Sequence, residues 1–366
     1  MKRLLHVISL VLMLSGLGTG CQKSDVQPPD TGISPPVTPV NLLSIPKVAK
    51  VFGGGTGYYC YAPSAIQYDH KDYIFVCQNK VPFSVRDHIY LYTRIVNGDW
   101  GMPKEVLAPS EAGWDSIHVC DPDVRKVSVS YKGQSYEWLM VYLGTDQLDN
   151  HHNQLGIAFA HDIKGPYVKY DKNPIITSYA SEWGVGQSTT LVEDSARILL
   201  CYSKGTVAHT GMFAREIELK DLNAIAIGEE REISFDGLKN AIGGAATILH
   251  NASFAWSKGA IYIAAPVDPF ESIPADIAPV ASRIQLAHKS RSETLFGGSW
   301  ELSGYIEKAQ TGFPRNHNPG IQTDSYGNLS SDTAATVFFT GSLTDAQWLW
   351  SYQLYSAVFD SLGSLK

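Results

Sequence analysis

Tyr61-Ala62-Pro63-Ser64, Cys120-Asp121-Pro122-Asp123, Gly186-Gln187-Ser188, His250-Asn251-Ala252-Ser253 and His317-Asn318-Pro319-Gly320 are variants of one short opener, each standing just ahead of a strand-like run. They recur about every 65 residues, room for one four-stranded sheet plus long loops. Repetition at such a period marks a propeller or a solenoid. The sequence therefore predicts an all-β fold: a five-bladed β-propeller of four-stranded antiparallel blades around a central axis. A propeller brings the same position of every blade to that axis. On this alignment the equivalent residues are Ala62, Asp121, Gly186, Asn251 and Asn318, of which Asp121 alone is acidic.

Between the openers the chain alternates β-rich runs with turn signals. Tyr73-Ile74-Phe75-Val76-Cys77, Trp138-Leu139-Met140-Val141-Tyr142, Ile198-Leu199-Leu200-Cys201-Tyr202, Ile261-Tyr262-Ile263-Ala264-Ala265 and Val337-Phe338-Phe339-Thr340 read as the second strands of successive blades. Trp348-Leu349-Trp350-Ser351-Tyr352 reads as a later strand of blade five. No amphipathic helical period of any length competes with these alternations.

Lys2 and Arg3 precede an apolar run from Leu4 to Leu17, and Gly18-Thr19-Gly20 lead into Cys21. This is the layout of a lipoprotein signal peptide over residues 1–21, with Cys21 as the lipidation site. The run is shorter than the roughly 20 residues that span a bilayer. Residues 22–48 are polar and proline-rich and read as a flexible tether, and residues 49–366 as one propeller domain. An exported, membrane-anchored lipoprotein, periplasmic or on the outer-membrane surface, is the expectation, touching the membrane through its lipid alone.

With 29 Lys and Arg against 36 Asp and Glu, a formal net charge of −7 and no basic cluster, the chain gives no support to nucleic acid as a partner. Cys60, Cys77, Cys120 and Cys201 show no CxxC pairing. Cys60 and Cys77 fall on neighbouring strands, where a disulfide is one outcome and buried thiols the other. No His-x-His or His-Glu-x-x-His spacing marks a catalytic metal. No cofactor is required, and a structural calcium at the His and Asn of the openers is left open.

In a propeller the loops entering each first strand and those joining the second and third strands share one mouth. Tyr59, Tyr61, Asp115, His118, Asp121, Glu182, Trp183, His250, Asn251, Arg315, His317 and Asn318 enter it from the first set. Arg86, Asp87, Asp146, Asp149, His151, His152, Lys204, His209 and Asp268 enter it from the second. Carboxylate, imidazole, amide and aromatic groups around one hollow suit a polar ligand such as a sugar ring. In the catalytic version Asp121 acts as base on water, and Glu182, Asp268 or a histidine such as His250 or His317 supplies the acid. Tyr61 and Trp183 stack on sugar faces, and His118, Lys204, His250, Asn251, Arg315 and Asn318 bind the substrate.

Val119-Cys120-Asp121-Pro122-Asp123-Val124, followed by a turn and an aromatic-rich strand, resembles the propeller hydrolases typified by glycoside hydrolase family 43. Their relatives include arabinanases, xylosidases and levansucrase-like enzymes. The resemblance implies a glycoside hydrolase acting on a plant or host polysaccharide or oligosaccharide. It also implies one acidic residue at the start of each of the first three blades: a general base, a pKa-modulating Asp and a general-acid Glu. The corresponding positions here are Ala62, Asp121 and Gly186, so only Asp121 matches. Because glycoside hydrolysis needs two carboxyl groups, the alternative is a non-catalytic glycan-binding lipoprotein that keeps the propeller pocket.

Overall fold

Successive side chains of a β-strand point to opposite faces, and in this chain both faces of most inner strands are apolar. In Leu139-Met140-Val141-Tyr142, for example, all four residues are buried. That pattern suits sheets stacked on both sides. The computed structural model describes residues 47–53, 55–149, 151–267, 281–331, 333–343, 348–360 and 362. The signal segment with Cys21, nearly all of the tether and the site candidate Asp268 lie outside the described residues.

The described residues form five antiparallel sheets arranged as the blades of a propeller. Strand β1 (Lys47–Gly53) precedes blade one, which comprises β2 (Cys60–Tyr68), β3 (Lys71–Asn79), β4 (Asp87–Ile95) and β5 (Lys104–Leu107). Blade two is β6 (His118–Tyr131), β7 (Gln134–Thr145), β8 (Gln154–Ala160) and β9 (Val168–Lys169). Blade three is β10 (Gly184–Asp194), β11 (Arg197–Gly205) and β12 (Thr210–Glu218), its outer edge split between β13 (Ala226–Ile227) and β14 (Arg231–Glu232). Blade four is β15 (Ser253–Trp256), β16 (Ala260–Pro266), β17 (Ile284–Ser290) and β18 (Glu301–Ile306). Blade five is β19 (Arg315–Ile321), β20 (Ala334–Ser342) and β21 (Gln353–Asp360), and β1 completes it by pairing with β21 from Lys47↔Val358 to Gly53↔Gln353. Strands from both ends of the described chain thus lie in one sheet and close the ring.

The core lies between blades. Leu139 and Val141 of β7 pack with Ile198, Leu200 and Tyr202 of blade three, while Met140 and Tyr142 face Phe75 and Leu91 of blade one. Met212 meets Phe254 and Ile263 across blades three and four. Leu286 meets Val337 and Phe339 across four and five, and Ile74 and Val76 meet Phe338 and Leu354 across five and one.

One expectation changes and one open alternative closes. Trp348–Ser351 is a short 3-10 turn and the strand begins at Gln353. Trp350 is held there by its ring contacts with Tyr59 and Phe83, at 5.6 and 5.7 Å between centroids, which an apolar run alone does not reveal. Cys60 does not pair with Cys77. Register sets Tyr61 opposite Cys77 and Cys60 opposite Gln78, so the two cysteines point to opposite faces of the blade. Cys77 instead faces blade two and bonds Cys120, while Cys60 and Cys201 are buried thiols.

The start of every blade carries the same irregularity, inside the first strand in four blades and two residues ahead of β15 in blade four. Ala62, Asp121, Gln187, Asn251 and Asn318 have φ of 50°, 45°, 37°, 51° and 47°, in the left-handed region. Around four of them the ladder skips two residues, from Tyr61 to Ser64, Cys120 to Asp123, Gly186 to Thr189 and His317 to Gly320. Asp and Asn tolerate this conformation best; for Ala62 and Gln187 it costs about 1 kcal/mol each. The correction for blade three follows: the residue equivalent to Asp121 is Gln187, one place beyond the Gly186 of the sequence alignment.

Two residues past each left-handed residue, the chain ties neighbouring blades together. Ser64 Oγ donates to Asp123 Oδ1 at 3.0 Å, and the Thr190 amide donates to Asp123 Oδ2 at 2.6 Å. Thr189 Oγ1 reaches the Ala252 carbonyl at 3.4 Å, and Ser253 Oγ accepts the Ile321 amide at 3.0 Å. Between blades five and one the contact is steric, because a Cβ on Gly320 would lie 2.0 Å from the Pro63 carbonyl oxygen. Gly320→Ala is therefore expected to cost about 3 kcal/mol or more in denaturant melts. Gly259→Ala, whose Cβ would meet nothing within 4 Å, serves as the neutral control.

Candidate functional site

The left-handed turn swings one side chain per blade inward, so Ala62, Asp121, Gln187, Asn251 and Asn318 form a ring. Ala62, Asp121 and Gln187 of this ring, with Ser64, Asp123, Ser188 and Ser253, line a water-sized cavity of about 20 Å³. Gln187 holds the ring together. Its amide N–H donates to Asp121 Oδ2 at 2.9 Å, its Nε2 donates to the Asn251 carbonyl at 3.2 Å, and its Oε1 accepts from Asn318 Nδ2 at 2.7 Å. A glutamate here would lose the Nε2 donor and set an acceptor against the Asn251 carbonyl. Asn251 is anchored in turn by Ser203 Oγ, which accepts its amide at 2.6 Å and donates to its Oδ1 at 3.1 Å. Asn318 Oδ1 accepts from His317 Nδ1.

Asp121 is buried, with the Cys77–Cys120 disulfide against it: its amide points at Cys77 Sγ (2.9 Å) and its Oδ1 lies 3.3 Å from Cys120 Sγ. Desolvation pushes its carboxyl up to about 6, against the opposing Gln187 amide and with help from the negative charge of Asp87. A Cβ on Gly186 would sit 3.1 Å from Asp121 Oδ2 and 3.1 Å from the Trp183 ring. The bare glycine therefore lets the indole edge and the carboxyl share one space.

Above the ring, Asp87 opens β4. It accepts from Tyr59 OH at 2.7 Å and Tyr61 OH at 3.0 Å, and its amide donates to His118 Nδ1 at 3.0 Å. Tyr61 OH is 3.2 Å from Cys120 Sγ. Contacts of 3.0, 3.2 and 3.3 Å therefore join Asp87 to Asp121, which keeps the two inside the roughly 9.5 Å limit of hydrolytic carboxyl pairs. Tyr352 packs on both Tyr61 and His317, at 5.7 and 4.5 Å between centroids. Burial, together with the charge of Arg315, lowers the His317 imidazole to about 3, so it is neutral at physiological pH.

Of the residues singled out in the sequence, the structure gathers Asp121, Tyr61, His118, Trp183, Asn251, Asn318, His317 and Arg315 at this mouth. His250 is half-buried just before Asn251. Glu182 is half-buried in the loop ahead of β10, where its carbonyl accepts the His152 amide at 2.9 Å. Lys204 is bound to Glu230 at 2.6 Å, and that carboxylate also accepts from Tyr202. Asp115 turns away to Lys169 and Tyr142. His152 pairs with Asp146, His151 with Asp149 and His209 with Glu232. A proline-free opener disguises Gln187 in the sequence, and the tie of Asp87 to two tyrosines shows only in the fold. Among the described residues, the His, Cys, Asp and Glu atoms at metal-ligand spacing are those of Cys77, Cys120 and Asp121. Both sulfurs are spent in the disulfide.

No protein-family model and no curated protein matches the sequence. Solved structures do match its fold. A family 117 glycoside hydrolase from the marine bacterium Zobellia galactanivorans is 14% identical, with 88% of this chain and 91% of that chain covered and a TM-score of 0.57. The GH43_1 enzyme from Xanthomonas citri, complexed with xylotriose, is 14% identical over 85% and 89% of the two chains, TM-score 0.55. The alpha-L-arabinofuranosidase PaAbf62A from Podospora anserina, in complex with cellotriose, is 10% identical over 87% and 98%, TM-score 0.54. The chain thus shares the five-bladed propeller of these glycoside hydrolases.

Because the folded-state value of Asp121 lies above its ordinary 3.8, its ionisation weakens the fold as pH rises from about 4 through about 6. Asp121→Asn keeps an acceptor for the Gln187 amide without the charge. It is expected to be more stable than wild type above pH 6, by on the order of 2 kcal/mol, with the gain vanishing below pH 4. Thermal melts of both proteins across pH 4–8 measure this.

Proposed function

We propose that the axial mouth takes the end of an oligosaccharide and that the protein cleaves a glycosidic bond there, with Asp121 as proton donor. The observation that carries this is Asp121 itself: the ring's single carboxyl, desolvated to about 6 and sharing space with an indole. A carboxyl in that range still holds a proton near neutrality, which suits an acid better than the base role expected from sequence. His317, held neutral, is left as a hydrogen-bonding wall. Trp183 offers an apolar edge to a sugar face. On the other side Asp87, acting through the Tyr61 hydroxyl, takes the proton of the attacking water.

This arrangement departs from the family pattern to which the chain is similar, in which acids stand where this chain has Ala62 and Gln187. That departure favours a second reading, a glycan-binding protein that cleaves nothing. Cys21 and the proline-rich tether support placing either activity on an exported lipoprotein that meets polysaccharide outside the cytoplasm.

Full-length protein in detergent, incubated with a panel of plant and host oligosaccharides, separates the two. Wild type is expected to release sugar with a rate that falls as pH rises through about 6. Asp121→Asn is expected to lose about 10²–10⁴-fold in rate while still binding. Binding by both proteins with release by neither establishes the second reading.

A further inference from the structure

Arg315 opens β19 and is 7% exposed, yet it has no hydrogen-bond or ion-pair partner among the described residues, and its Nε is shielded from water altogether. It stands three residues before the left-handed Asn318, as Tyr59 stands before Ala62 and His118 before Asp121. Those two side chains reach Asp87 at the mouth, so Arg315 occupies the corresponding place in blade five. It lies on the same strand face as His317, two residues on, which feels its positive charge. A buried guanidinium without a counter-charge is costly, and proteins leave few of them.

Among the described residues, the carboxylates around the mouth are already committed elsewhere. Asp87 takes two tyrosine hydroxyls, Asp121 takes the Gln187 amide, Glu230 takes Lys204, and Asp115 takes Lys169. The missing anion therefore arrives with the ligand. A guanidinium presents a planar fork of N–H donors that matches a carboxylate in two parallel hydrogen bonds.

We infer that the sugar taken by this mouth carries a carboxylate, received by Arg315, so that the site selects oligosaccharides containing a uronic acid. This rests on the mouth being the carbohydrate site proposed above, and it adds the chemical class of the sugar. Selectivity follows from physics: an acidic sugar relieves the unpaired cation, whereas a neutral one leaves it stranded.

Calorimetric titration of the full-length protein tests it. The probes are oligogalacturonides and glucuronic-acid-bearing xylan fragments, each beside its carboxyl-reduced counterpart, and a sulfated galactan oligosaccharide. The best acidic probe is expected to bind about 10- to 100-fold more tightly than its reduced form. Arg315→Gln is expected to bring the acidic probe down to the level of the reduced one, and Arg315→Lys, which keeps the charge without the fork, to lie between. Because Arg315 has no side-chain partner to lose among the described residues, Arg315→Gln is also expected to melt no lower than wild type. Equal binding of acidic and reduced forms, or a preference that survives in Arg315→Gln, overturns the assignment while leaving the carbohydrate site standing. Tightest binding of the sulfated probe overturns the carboxylate in favour of a sulfate ester. If no probe binds, acidic or neutral, the carbohydrate site itself fails and this inference with it.

Discussion

A left-handed residue at the start of each blade is the constraint from which the rest of the architecture follows. By skipping two residues of the ladder, it turns one side chain toward the axis and carries the next polar position sideways to the neighbouring blade. Asp123 gathers Ser64, Thr190 and Arg125 in this way, and Ser253 takes the Ile321 amide. Gly320 lets the last blade approach the first more closely than any side chain would permit. Five sheets with apolar faces would stack in any case; these ties fix how closely they stack and what points into the middle.

The same geometry governs the chemistry. Forcing one residue per blade onto the axis puts Asp121 where water is scarce, and desolvation raises its carboxyl toward neutrality. A glutamine at the blade-three position converts a place for a charge into a bracket joining blades two, four and five. The Cys77–Cys120 bond pins the edge of Asp121. Asp87, absent from the ring, approaches it from the side through Tyr61. The mouth is therefore asymmetric. Its acidic side lies at Asp87 and Asp121 in blades one and two, and its cationic side at Arg315 in blade five.

The repeat and the buried strands were legible in the sequence because apolar β-rich runs between turn signals and a recurring opener survive without any knowledge of contacts. Legibility ended where a one-residue shift matters. In blade three the proline that marks Asp121 and Asn318 is replaced by Ser188, and the alignment slipped from Gln187 to Gly186. Cys60 and Cys77 are on adjacent strands, but register places them on opposite faces. The aromatic run at Trp348 had the composition of a strand and serves as a turn. The closing strand β1 fell partly in what reads as linker, since nothing local in Lys47–Gly53 announces a partner some 300 residues away. Asp87 and Arg315 were placed at the mouth by the sequence, but the tie of Asp87 to two tyrosines and the lack of a side-chain partner for Arg315 among the described residues come from contacts that composition does not encode.

The central claim is that a sugar sits over Asp121 at the axis. A crystal structure of the Asp121→Asn protein soaked with an oligosaccharide that it binds addresses this most directly. The account predicts a glycosidic oxygen within hydrogen-bond distance of the residue-121 amide, with a ring against Trp183. Sugar density confined to the outside of the blades, with the axial mouth holding only solvent, would contradict it.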